Sequence, residues 1–189
     1  TPYPGGTSAR VRERNGSSPA DAAAIVYLLG TTLESCGGSG GDDTVQLWTV
    51  MALLKMVESS AIICSREGVA GANFTSSELP ALRVAWKYVW KVLFRYDLRY
   101  ASYTSGAHGN NVGELVLQLL TQIIRYQCTD RKSMLLRGMQ PSPFVHEEQT
   151  QIWKLPVFED PSSILSAASF ELITTVIQFT DISGSDGAS

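Results

Sequence analysis

Arg83, Lys87, Lys91, Arg95 and Arg99 recur at every fourth residue of a stretch that also carries Trp86, Tyr88, Trp90, Phe94, Tyr96 and Tyr100. Cations at regular spacing neutralise phosphates, and the backbone of a single-stranded RNA is a polyanion that suits them. Four residues is about one helical turn, so on a helix the five charges form a ribbon that drifts slowly around the axis. Trp86, Trp90 and Phe94 keep the same step beside it. This aromatic ribbon is expected to be core with the cations at its rim, leaving Tyr88, Tyr96 and Tyr100 to stack on bases. Arg125, Arg131 and Lys132 are further candidate RNA contacts, and Arg10, Arg12 and Arg14, on alternate positions of the first segment, are candidate subunit contacts. The competing reading of the same residues is a solvated basic face on an ordinary helix.

The distribution of charge says more than its total. The 189 residues carry a net charge of −3, yet the span from Arg83 to Arg137 holds nine basic residues against three acidic ones. The segments on either side are acidic. A basic middle with acidic flanks can meet a polyanion or the acidic surface of another copy of the chain, and both associations would be sensitive to salt.

Other chemistry is thinly represented. His108 sits in a Gly- and Asn-rich stretch, and His146 precedes Glu147 and Glu148 without the second histidine of a zinc-protease helix. Cys36, Cys64 and Cys128 form no CxxC pair and no zinc spacing, so buried reduced thiols are expected. Gly37 to Gly41 is followed by Asp42 and Asp43, which would repel phosphate, so a linker is expected there. No metal site, no cofactor and no catalytic activity is expected.

The elements that must hold the basic ribbon follow from punctuation and period. Ser18-Pro19-Ala20-Asp21 supplies an N-cap, a proline for the first helical position and a first-turn carboxylate, predicting a helix to about Glu34. A second start at Asp42-Asp43-Thr44 leads into a helix to about Ser65, with Val45, Trp48, Ala52, Leu53, Met56 and Ile63 as its apolar face. Ser77-Glu78-Leu79-Pro80 opens the basic aromatic helix. A fourth helix is predicted from Val112 to Gln127, with a further turn or two from Arg131 to Arg137. The last is predicted from Ser162 to Phe179, preferred over a strand because Ile164, Leu165, Ala168, Leu172, Val176 and Phe179 keep helical spacing. The most apolar stretch, Val45 to Cys64, is interrupted by Lys55 and Glu58, which argues against a membrane span.

Together these predict a mainly α protein: a compact core of about five helices from 19 to 180, a flexible basic arm at 1–18 and a polar tail at 181–189. In broad architecture this resembles the helical coat proteins of filamentous and rod-shaped plant viruses, by analogy of fold alone. The function expected is a self-assembling nucleoprotein or viral coat protein. It would bind single-stranded RNA through the ribbon, contact copies of itself through its arms, and reside in a virion or the host cytoplasm rather than be secreted. The alternative is a helical scaffold or protein-interaction domain, part of a larger α-helical protein, without nucleic-acid binding. The two differ in one respect: the first needs the cations to line an open groove, and the second allows them to be scattered or paired with acids.

Overall fold

The computed structural model describes residues 18–36, 43–67, 78–95, 112–136 and 167–184. They form five helices: α1 (Pro19–Cys36), α2 (Asp43–Glu67), α3 (Glu78–Arg95), α4 (Val112–Leu136) and α5 (Ala167–Gly184), with no strand among the described residues. The basic arm, the glycine linker, both histidines, Arg99 and Arg137 lie outside them.

The start of α1 shows how local chemistry fixes a boundary. Ser18 accepts at Oγ from the Asp21 amide at 3.2 Å, and the Asp21 carboxylate accepts from the Ser18 amide at 3.3 Å. This reciprocal pair satisfies amides that have no helical acceptor, while Pro19 has no N–H to satisfy. The first helical bond, from the Ala22 amide to the Ser18 carbonyl at 3.0 Å, closes the turn.

Helix α1 packs against both α2 and α3, α2 packs against α4, and α3 and α4 approach each other more sparingly, so these four close a ring. Helix α5 lies against α4. The centre is filled by Leu33 from α1, Leu53 and Val57 from α2, Leu82, Trp86, Val89, Trp90 and Leu93 from α3, and Leu119, Leu120, Ile123 and Tyr126 from α4. Each such aliphatic side chain gains roughly 1.5–3 kcal/mol on leaving water, which is what holds helices of modest amphipathicity together.

Helices α1 and α3 pack tightly at Gly30. A Cβ there would stand 2.9 Å from Cε1 of Tyr88 and 3.2 Å from Cγ2 of Val89. The Tyr88 ring is held in this place from two sides. It stacks on Tyr27 with ring centroids 4.7 Å apart, and its hydroxyl donates a short hydrogen bond to the Glu34 carboxylate.

Three sequence expectations change. The fourth helix runs without a break from Val112 to Leu136, because Cys128-Thr129-Asp130 contains no glycine or proline to end it. The last helix is described over Ala167–Gly184 and so continues past its expected end at Phe179, while its expected first residues, 162–166, lie outside the described residues. Helix α2 is turned by about a quarter of its circumference from the expected apolar side: Leu53 is buried and Met56 and Ile63 pack against the core as expected, whereas Val45 and Trp48 are exposed. Its buried line is Gln46, Thr49, Val50, Leu53, Val57, Ser60 and Cys64, while Val45, Trp48, Met51 and Ile62 are exposed. Both sides of α2 carry large apolar residues, so its period alone cannot say which side is inward. Polar partners decide it: Gln46 donates to the Cys36 carbonyl at 2.5 Å, and Ser60 and Cys64 bond to groups on α3 and α4.

Candidate functional site

The first of the ribbon cations, Arg83, turns toward α4. Its Nε donates to Oδ2 of Asp130 at 2.6 Å and its Nη2 to Oδ1 at 2.8 Å, the two-pronged geometry that a guanidinium and a carboxylate share. The Arg83 side chain is 26% exposed and that of Asp130 11%, so the pair is largely withdrawn from water. The hydrogen bond to Asp130 outweighs burial and holds the Arg83 pKa above its ordinary value.

Around this pair a polar cluster joins three helices. The Cys64 thiol of α2 donates to Oδ1 of Asp130 at 3.7 Å. One turn away, Trp86 Nε1 donates to Ser60 Oγ at 3.0 Å, and Ser60 donates onward to the Met56 carbonyl at 2.7 Å. Trp86 and Tyr126 pack with ring centroids 6.0 Å apart. As α3 advances from Arg83 to Trp86, its α4 partner retreats from Asp130 to Tyr126, so the two helices are antiparallel here.

The Tyr126 hydroxyl is buried in the same cluster, next to the Cys64 thiol, but has no partner of hydrogen-bonding distance and angle among the described residues. Burial, then the neighbouring Cys64 and Asp130, push its pKa well above that of an ordinary tyrosine. Burial also raises the Cys128 thiol to about 11, against the opposing pull of Lys132 and Arg131. A thiol so far from ionising is a poor nucleophile at neutral pH.

The remaining ribbon residues differ in exposure. Lys87 is half-buried and Lys91 exposed. Arg95 closes α3, and its side chain, like Arg99, Arg10, Arg12 and Arg14, lies outside what the structure describes. On α4, Arg125 pairs with Glu171 of α5 at 2.9 Å, both about half exposed. Arg131 is half-buried and Lys132 exposed. Trp86 and Trp90 are buried, and Phe94 packs on Trp90 with centroids 4.9 Å apart. Among the described residues no three of His, Cys, Asp and Glu are gathered as metal ligands would be.

Sequence reasoning missed Asp130 and Tyr126. A signal was available: the buried line of α4, Val116, Leu119, Leu120, Ile123, Tyr126 and Gln127, keeps its helical step straight into Asp130. A carboxylate continuing an apolar stripe needs an internal cation, and Arg83 is that cation.

The outer surface has a different character. Ile25, Tyr27 and Leu28 on α1, Val45, Trp48, Met51 and Ile62 on α2, Val84 on α3, and Phe170 and Ile177 on α5 are exposed. From Pro19 to Leu54 the sequence contains no Lys, Arg or His. By length and composition, Thr44–Ser65 of α2 is long and apolar enough to cross a bilayer, and about a third of it is buried within the protein. No protein-family model, no curated protein and no solved structure matches this chain.

Proposed function

We propose that the chain is a helical protein-interaction scaffold, whose working surface is the outside of α1 and α2, where large apolar side chains are exposed. The observation that carries this reading is the use to which Arg83 is put. The cation that opens the ribbon is spent on Asp130, and Arg125 is engaged by Glu171, so two of the charges that a phosphate groove would require serve helix packing instead. Trp48 and Leu28 are in contrast left 64% and 66% exposed, and they are the apolar side chains this reading assigns to a partner.

A second reading, a nucleoprotein or viral coat subunit that binds single-stranded RNA, draws its support from Lys91 and Lys132, which remain exposed. Fluorescence anisotropy of a labelled single-stranded RNA, titrated with the native chain and with Lys91→Glu/Lys132→Glu, separates the two. The scaffold reading expects no binding that weakens with salt and no difference between the proteins. Tight binding at about 50 mM salt, lost at about 500 mM and abolished by the double substitution, would replace it with the RNA reading.

A further inference from the structure

We infer that α2 carries a self-complementary seam through which two copies of this chain pair antiparallel about a twofold axis. The inference rests on the scaffold reading above and names its partner. The inward line of α2 runs through Gln46, Val50, Leu53, Val57, Ser60 and Cys64. Displaced from it by two residues, about 200° around the helix, runs a second line: Thr44, Trp48, Met51, Lys55, Glu58, Ile62 and Ser65, all exposed. Its steps alternate four and three. This is the spacing by which one helix seats side chains against another in a coiled coil, and Trp48, Met51 and Ile62 are the apolar members of the line.

Charge selects the occupant. Lys55 and Glu58 stand at the middle of the seam, flanked by Trp48 and Met51 on one side and Ile62 on the other. In the single chain Lys55 Nζ lies 3.1 Å from Glu58 Oε2, with the two side chains 80% and 56% exposed. If a second α2 is laid antiparallel with its axis of symmetry between these residues, Lys55 of each copy meets Glu58 of the other, Met51 meets Ile62, and Trp48 covers Ser65. Each residue then meets the residue whose partner it is in the other copy, as an isologous contact demands. The small residues Ala52 and Ser59 flank the seam and allow close approach of the two backbones. Lys55 and Glu58 pair with each other in the single chain, and an antiparallel second copy adds an opposite charge to each, which an apolar bilayer does not. An acidic or basic protein surface would satisfy one and repel the other.

The test uses the full chain and four proteins: native, Lys55→Glu, Glu58→Lys and the double exchange Lys55→Glu/Glu58→Lys. Sedimentation equilibrium is measured across about 1–500 µM, with circular dichroism to verify that each variant is folded. The native chain is expected to be a monomer–dimer equilibrium. Each single charge reversal places like charges opposite each other twice and weakens it at least about tenfold. The double exchange restores it. An equimolar mixture of the two single variants also associates, because one chain then presents two acids to the two bases of the other.

A native chain that stays monomeric throughout overturns the seam. So does a dimer indifferent to all three variants, or a mixture no tighter than its components. Phosphatidylcholine vesicles provide the remaining arm: sedimentation of the native chain with them, accompanied by a blue-shifted Trp48 fluorescence absent from Trp48→Phe, would assign the face to lipid and overturn the dimer. Failure of the scaffold reading has a separate signature. It is salt-labile association with single-stranded RNA that the Lys55 and Glu58 variants leave unchanged.

Discussion

Arg83 and Asp130, separated by 47 positions in the chain, share two hydrogen bonds of 2.6 and 2.8 Å across the α3–α4 boundary. Helices α3 and α4 approach each other less closely than the other neighbours in the ring. The long guanidinium side chain and the Trp86–Tyr126 pair fill that gap. The ion pair therefore serves as a brace between helices where backbones stand apart.

Removing one partner should cost more than removing both. Asp130→Ala leaves the partly buried Arg83 guanidinium without its acceptor and is expected to destabilise the fold by about 1–2 kcal/mol. Arg83→Met combined with Asp130→Leu replaces the pair by apolar groups of similar volume and should lie within about 1 kcal/mol of the native protein. Urea unfolding followed by circular dichroism measures both. Equal losses in the two would show that the pair is not acting as a buried, mutually compensating unit.

Tyr126 should reveal itself in alkali. Its pKa in the fold is raised above the ordinary value of 10.0, so the folded state keeps a proton that the unfolded chain gives up. That contribution to stability is complete below pH 10 and declines as the pH climbs toward the raised value, by up to about 1.4 kcal/mol per pH unit. Tyr126→Phe removes the decline. At pH 7 the same substitution should lie within about 1 kcal/mol of the native protein, because the lost hydroxyl forfeits its contact with the Cys64 thiol but no hydrogen bond of good geometry among the described residues.

Cys128 is expected to resist alkylation. With its thiol pushed up to about 11, only on the order of one molecule in a thousand carries the thiolate at pH 8. Iodoacetamide labelling read by peptide mass spectrometry should find it slow at pH 8 and accelerating past pH 10. Rapid labelling at neutral pH would mean that the site opens readily.

Gly30 is a tight point between α1 and α3. Alanine gains about 1 kcal/mol in helix propensity there but sets a methyl 2.9 Å from a Tyr88 ring that Tyr27 and Glu34 hold in place. Overpacking of this kind typically costs 1–3 kcal/mol, so Gly30→Ala should be destabilising by about 1 kcal/mol net. Pairing it with Tyr88→Leu, which withdraws the ring, should recover much of that loss in thermal unfolding.

The helices were legible because each announces itself locally. Ser18 and Asp21 write the cap of α1, and Pro80 stands in the first turn of α3, where its missing amide costs nothing. What lay beyond the sequence were the relations between helices. The orientation of α2 depends on whether Trp48 or Ser60 points inward, and Ser60 does so because Trp86, 26 residues away, donates to it. The four-residue spacing of Arg83, Lys87 and Lys91 falls on α3, but spacing does not disclose partners. Arg83 looks like Lys91 until Asp130 is placed beside it, and Asp130 in sequence is only one acid in a basic stretch. The candidate site was thus half legible: its cations could be named, while the acids that engage two of them depended on tertiary pairing.

The most direct measurement is sedimentation velocity of the purified chain, alone and with single-stranded RNA, at about 50 mM and about 500 mM salt. A scaffold whose Arg83 and Arg125 are committed to Asp130 and Glu171 should sediment identically with and without RNA at both salt concentrations. Large RNA-dependent species that dissolve in high salt would contradict the account and return the basic helix to the role of a phosphate groove.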